Sequence, residues 1–324
     1  MRKALVVGIN YYESGSSLCG CVDDAHAVKA ILERHGDATR NFDVKLITGT
    51  GPTDKVSRAQ LKDSIEEVFQ DDNEIALFYF AGHGHIDSTG GYILASDASR
   101  GDEGVSLNDM LVYANNSKSK NKVILLDSCH SGIAGSPPVA SENALLSEGL
   151  TILTASTKDQ YATEKNGRGI FTTLLVDALG GAASNLMGDI SPGSVYAHID
   201  QSLSSWEQRP VFKTNVKTFV SIRSIPPLIQ LDDLRMITDF FTNVSDEFPL
   251  NPTYEPEMLG RPEGAPAPIP ENTKQFAVLQ RYNRLNLLVP VDAPHMWHAA
   301  MESTGCRLTV LGQHYWRLVK NKRI

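Results

Sequence analysis

The chain has 324 residues, 41% of them hydrophobic, and 38 acidic against 30 basic side chains give a formal net charge of −8 and a pI near 5.6. That length suits one large domain, or one domain and a smaller appendage, with a real core. The acidic balance excludes a general nucleic-acid binder, whose surface would be basic. Four cysteines (Cys19, Cys21, Cys129, Cys306) are too few for a disulfide framework and fit a reducing cytoplasmic setting. The first residues run straight into Ala4–Ile9, which predicts a buried strand rather than a secretory segment. No apolar stretch approaches the ~20 residues of a membrane span, so no membrane partner is expected.

In chain order, apolar runs of strand length occur at 4–9, 43–48, 75–81, 123–127, 150–155 and 216–222. Helical periodicity fills the intervals. Residues 22–35 place Val22, Ala25, Val28, Ile31 and Leu32 on one face, and 57–69 do the same with Leu61, Ile65, Val68 and Phe69. Further helices fit 106–114, 169–179 and 192–204, and Gly90–Leu94 suggests a small hairpin. Alternating strands and helices predict an α/β fold, a mostly parallel sheet with helices on both faces, over residues 1–223. The segment 224–272 is predicted to hold a helix at 230–242 and then a stiff proline-rich linker, with seven prolines from Pro249 to Pro270. Residues 273–324 form a small α+β extension: strands at 276–279 and 285–289, a helix at 294–303, and a closing hairpin from 307–310 and 315–319.

Two strand ends carry the chemistry. Phe78-Tyr79-Phe80-Ala81 ends in Gly82-His83-Gly84, and Val123-Ile124-Leu125-Leu126 ends in Asp127-Ser128-Cys129-His130-Ser131-Gly132. If these strands are parallel neighbours, an imidazole and a thiol leave the same sheet edge, and a neighbouring base is what makes a thiol nucleophilic at neutral pH. His83 suits a general base better than His130, because adjacency on an extended strand turns the His130 side chain away from the sulfur. The small residues around the tips leave backbone amides, here those of Gly84 and Cys129, for an oxyanion hole. A lone buried cysteine or histidine is more often inert; the pairing of the two at matched strand ends favours catalysis.

These stretches resemble the caspase-fold cysteine peptidases of the metacaspase type, of the prokaryotic kind. The resemblance rests on Leu5–Tyr12, Leu18–Ala25, Phe80–Gly84 and Asp127–Gly132, with Thr154-Ala155-Ser156, Gly169–Thr172 and Gln208–Phe212 agreeing. It implies His83 as general base, Cys129 as nucleophile, and a substrate pocket from Asp24 and Asp127 with Cys21 in its wall, selecting protein or peptide substrates with Arg or Lys at the cleavage site. Ala81 departs from the resemblance, which favours serine there, and so removes a hydroxyl from that pocket. A catalytically silent scaffold is the alternative, against which the intact Cys129, His83 and both aspartates speak. No cofactor is required by this chemistry and no metal site is assigned. Asp97, Asp102, Glu103 and Asp109 offer oxygens for calcium, but their spacing matches no EF-hand loop and a solvated loop is the commoner use. Cys19 and Cys21 lack a second pair for zinc.

The resemblance further suggests an effector of antiviral defence or cell death, held off until signalled. Arg284, Trp297, His298, Tyr315 and Trp316 are of the types that stack on and hydrogen-bond a small nucleotide-like activator, with packing against the protease domain as the plainer use.

Overall fold

A computed structural model describes residues 1–128, 146–155, 164–165, 168–204, 209–218 and 220–324. Two compact units emerge, Met1–Pro227 and Leu228–Ile324.

In the first unit, β1 (Arg2–Ile9), α1 (Cys21–Glu33), β2 (Asp43–Gly49), α2 (Arg58–Gln70) and β3 (Ile75–Ala81) build the start of a sheet. A small antiparallel sheet follows from β4 (Gly84–Asp87), β5 (Gly90–Ile93) and β6 (Val105–Ser106). Then come α3 (Leu107–Asn116), β7 (Asn121–Asp127), β8 (Leu150–Thr154), the short pair β9 (Glu164–Lys165) and β10 (Arg168–Gly169), and α4 (Ile170–Asp177). The unit closes with β11 (Asp189–Ile190), α5 (Pro192–Ser202), β12 (Val211–Asn215) and β13 (Arg223–Ser224).

The main sheet has the order β12-β8-β7-β3-β1-β2. All its pairings are parallel except that of the edge strand β12, which runs antiparallel to β8. The chain order doubles back across β1, so the crevice between the carboxyl ends of β1 and β3 is a topological switch point, where α/β sheets place their sites.

Strand parity assigns each side chain to a layer. Leu5, Val7, Phe78, Phe80, Ile124 and Leu126 face one way and pack with Leu61, Ile65 and Phe69 of α2 and Met110 of α3. Their alternates, including Val6, Leu77, Tyr79, Ala81 and Leu125, face the other way onto Ala25 and Val28 of α1, Phe171 and Leu175 of α4, and Val195 of α5. Ser57 starts α2 by accepting the Gln60 N–H at 3.2 Å. Ser191 starts α5 in a reciprocal capping box with Ser194, Pro192 following at the first turn. The last strand of the sheet lies at 211–215 rather than the expected 216–222: an antiparallel edge tolerates the polar Lys213, Thr214 and Asn215, which gave it no apolar signature.

The second unit holds α6 (Leu231–Arg235), α7 (Ile237–Phe240), β14 (Glu247–Pro249), α8 (Pro270–Arg284), β15 (Leu288–Val291), α9 (Met296–Met301), β16 (Gly305–Leu308) and α10 (Val310–Lys320). Its sheet is antiparallel, β14-β16-β15. Residues 276–279, expected as a strand, lie inside α8, whose buried Phe276, Leu279 and Tyr282 recur at helical spacing that a four-residue window cannot display. Residues 315–319, expected as a hairpin strand, lie in α10, whose cap is Thr309 accepting the Gly312 N–H at 3.0 Å. The proline-rich stretch is not an extended arm. Its β14 pairs with β16, and the Arg261 guanidinium donates to the carbonyls of Pro252, Glu255, Glu257 and Pro266. Proline supplies no N–H, so a rigid multi-donor side chain gathers the loop. Among the described residues no helix is long and apolar enough to cross a membrane.

Candidate active site

The site begins with a register. Ala81, the last residue of β3, pairs with Asp127, the last residue of β7. In sequence, His83 lies two residues beyond the first and Cys129 two beyond the second. Cys129 and His130 lie outside the described residues.

His83 is fixed from two sides. Its backbone N–H donates to the Tyr12 hydroxyl at 2.7 Å, and the two rings lie 4.6 Å apart. Its Nε2 meets the Ser16 carbonyl oxygen at 2.7 Å. A carbonyl only accepts, so in the neutral ring Nε2 is the nitrogen that carries the hydrogen and Nδ1 the one that holds the lone pair. Gly82 is needed here, since a Cβ would stand 2.5 Å from the Tyr12 hydroxyl. Gly84 opens β4. The Leu94 N–H bonds the His83 carbonyl at 2.9 Å, which makes 83/94 the hydrogen-bonded position of this antiparallel ladder. Gly84, opposite Ile93, then falls at the non-bonded position with its N–H directed away from β5.

Behind the strand ends lies a buried acidic cluster. Asp24 in the first turns of α1 is 3% exposed, Asp127 is 7% exposed, and Cys21 is buried in the same first turn as Asp24. Asn10 braces that helix start, accepting the Val22 N–H at 3.2 Å and donating to the Cys19 carbonyl at 3.3 Å. Gly8 lets α1 settle onto β1: a Cβ there would collide with the Cys21 carbonyl and lie 2.7 Å from the Ala25 Cβ. Parity puts Asp127 on the sheet face that meets α1 and α4. Gly169 lies between the two carboxylates. Its N–H donates to Asp24 Oδ2 at 3.0 Å, and a Cβ there would collide with Asp127 Oδ2 and stand 3.1 Å from Asp24 Oδ2.

Two residues that the sequence did not single out as site residues complete the cluster. The Thr172 hydroxyl donates to Asp127 Oδ2 at 2.6 Å, and the Tyr79 hydroxyl lies 2.6 Å from Thr172 Oγ1. Both are fully buried. Burial, reinforced by the neighbouring Asp127 and Asp24 carboxylates, pushes the Tyr79 phenol well above its usual range, so it stays protonated. A hydroxyl-bearing residue inside the all-buried β3, two positions before Ala81 and so on the face of Asp127, was the signal available in the sequence.

The acidic stretch considered for calcium is dispersed into local roles. Asp97 accepts the Arg58 N–H at 2.9 Å, Glu103 accepts from Ser99 N–H at 2.9 Å, and Asp109 pairs with Lys62 at 3.1 Å. The Asp102 side chain is outside the described residues. Among the described residues no group of three His, Cys, Asp or Glu side chains is placed to hold a metal.

In the second unit the residues considered for a ligand fall on three helices. Arg284 ends α8, Trp297 and His298 lie on α9, and Tyr315 and Trp316 on α10. Trp316 Nε1–H donates to the Phe241 carbonyl at 2.7 Å, with Lys320 Nζ 5.6 Å over its ring, and Tyr315 is buried. The His298 ring contacts those of His295 and Trp297, and its Nδ1 is buried with no hydrogen-bond partner among the described residues.

The family model of the caspase domain matches residues 1–220. The chain is 34% identical over 86 residues to Metacaspase-1 of Cryptococcus neoformans, covering 26% of this chain and 19% of that protein. It is 31% identical over 147 residues to Metacaspase-6 of Arabidopsis thaliana, covering 40% of this chain and 38% of the relative. The chain therefore spans well under half the length of these curated relatives. Among solved structures, protein GSU0716 from Geobacter sulfurreducens superimposes with a TM-score of 0.52 at 16% identity, over 70% of this chain and 98% of that one, a likeness of fold alone.

Proposed function

This chain belongs to the caspase-domain family, and we propose that it is a cysteine endopeptidase that cuts after arginine or lysine. The supporting observation is the Ala81–Asp127 register of two parallel strands, since it carries His83 and the residues leading to Cys129 to one sheet edge. In this reading the Cys129 thiol gives its proton to His83 Nδ1, the nitrogen left open by the Ser16 carbonyl on Nε2. The thiolate attacks the scissile carbonyl carbon, and the resulting oxyanion is met by the N–H groups of Gly84 and Cys129. Collapse breaks the C–N bond, with His83 Nδ1–H protonating the departing amine. Water, deprotonated by His83 Nδ1, then adds to the thioester carbon; the C–S bond breaks, His83 returns the proton to the Cys129 sulfur, and the acid product leaves.

Specificity in this reading comes from Asp24 and Asp127. Two buried carboxylates attract a guanidinium or ammonium and repel an acidic side chain. Hydrolysis of fluorogenic peptides ending in Arg, Lys or Asp tests it. Cleavage after Arg or Lys that disappears in Cys129→Ala is expected; cleavage after Asp overturns the pocket assignment.

The wider role implied by resemblance, an effector of antiviral defence or cell death switched by a nucleotide-like signal, places its switch in the second unit. The buried Nδ1 of His298, without a hydrogen-bond partner among the described residues and beside the Trp297 ring, favours α9 as the contact. Stimulation of the full chain by a nucleotide, lost in Trp297→Ala, is the test; a chain active without any addition and unchanged by Trp297→Ala removes this role.

A further inference from the structure

Resting on the acidic-pocket reading above, the structure assigns Tyr79 and Thr172 as positioning residues that keep the Asp127 carboxylate ionised and oriented for a basic substrate side chain. The hydrogen bonds fix their own direction. Threonine has one hydroxyl proton, and Thr172 uses it on Asp127 Oδ2. The 2.6 Å contact between Tyr79 and Thr172 is then a donation from the phenol to Thr172 Oγ1. Both O–H dipoles point the same way, toward the carboxylate, and successive bonds of this kind polarise one another in a dry interior. Tyr79 is 0% and Thr172 is 1% exposed, so water does not substitute for either donor.

Three elements meet at this relay. Tyr79 comes from β3, Asp127 from the end of β7, and Thr172 from the first turn of α4, immediately after Gly169 has bonded Asp24. The stretch 169–172 thus serves both carboxylates: its first residue donates a backbone N–H to Asp24 and its last a hydroxyl to Asp127. A buried carboxylate supplied with donors stays charged, whereas one deprived of a donor takes up a proton at higher pH. A protonated Asp127 no longer attracts a guanidinium. The relay therefore acts on substrate affinity through Asp127 and leaves the chemistry at His83 alone. It also supplies, from α4, a hydroxyl near the place where Ala81 withholds one.

The test uses the full chain with an Arg-ended fluorogenic peptide and the variants Thr172→Val, Thr172→Ser, Tyr79→Phe and Asp127→Asn. Thermal unfolding of each variant confirms that it folds. Thr172→Val is expected to raise KM about tenfold with kcat within about twofold, the size of one hydrogen bond to a charged group. The acid limb of its kcat/KM profile moves to higher pH. Thr172→Ser restores both, and Tyr79→Phe gives a smaller shift in the same direction. Carboxyl-carbon NMR of Asp127 reads the raised pKa without turnover. A Thr172→Val enzyme with unchanged KM, acid limb and Asp127 titration, while Asp127→Asn impairs Arg cleavage, overturns the inference and spares the pocket. Arg cleavage indifferent to Asp127→Asn overturns both.

Discussion

The two faces of the main sheet are made from the same strands and differ in what they spend their buried volume on. The face under α2 and α3 is almost entirely apolar: Leu5, Val7, Phe78, Phe80, Ile124 and Leu126 meet Leu61, Ile65, Phe69 and Met110. The face under α1 and α4 is equally dry along most of its length, yet at the carboxyl end it buries Asp24, Asp127, Thr172 and the Tyr79 hydroxyl. One residue's step along β3 or β7 moves a side chain from the first environment to the second. Stability and candidate chemistry are thereby separated by strand parity within a single element.

The largest effects are expected at the strand tips. His83→Ala or Cys129→Ala should lower the rate of Arg-peptide hydrolysis ~10⁴-fold or more while leaving the thermal transition in place, measured by single-turnover kinetics and calorimetry. On the apolar face the opposite split is expected. Phe78→Ala, at a fully buried position, should cost about 3–5 kcal/mol of stability in denaturant titration, with KM of the remaining folded enzyme unchanged. On the polar face, Asp24→Asn should raise KM for Arg peptides roughly a hundredfold, as expected for loss of a buried charged partner. Its melting temperature should hold or rise, because one of two buried like charges is gone. Tyr12→Phe, which removes the acceptor for the His83 N–H, should lower kcat about fivefold with KM steady, the scale of one ordinary hydrogen bond. The smallest effect concerns processing. No Lys or Arg occurs from Val123 to Thr157, so incubation of the purified enzyme should yield no self-cleavage within 131–147, read by mass spectrometry of the intact chain.

The sheet and both tips were legible in the sequence because the central strands are short, wholly apolar runs with glycine-bounded ends, a pattern set by burial on both faces. Asp24 and Asp127 emerged through resemblance, and the structure places both in contact with Gly169. Thr172 shows no role in the sequence, since its partner Asp127 is 45 residues away and only the packing of α4 on the sheet joins them. The second unit was harder to read. The 276–279 and 315–319 windows hold too few residues to reveal a helical period, and α8 and α10 declare themselves through Pro270 and Thr309 at their starts. Arg261, which gathers the proline-rich loop, leaves no sequence pattern at all, because its acceptors are backbone carbonyls.

Gly8 carries a consequence for engineering. The distance between β1 and α1 is set by the absence of a single methyl group, and Asp24 rides on α1 one turn from that contact. A side chain inserted at position 8 would act as a shim, lifting the helix and with it one wall of the acidic cluster. Under the proposed reading, the choice between the longer arginine and the shorter lysine becomes adjustable from the strand beneath the helix, through a residue that carries no side chain of its own.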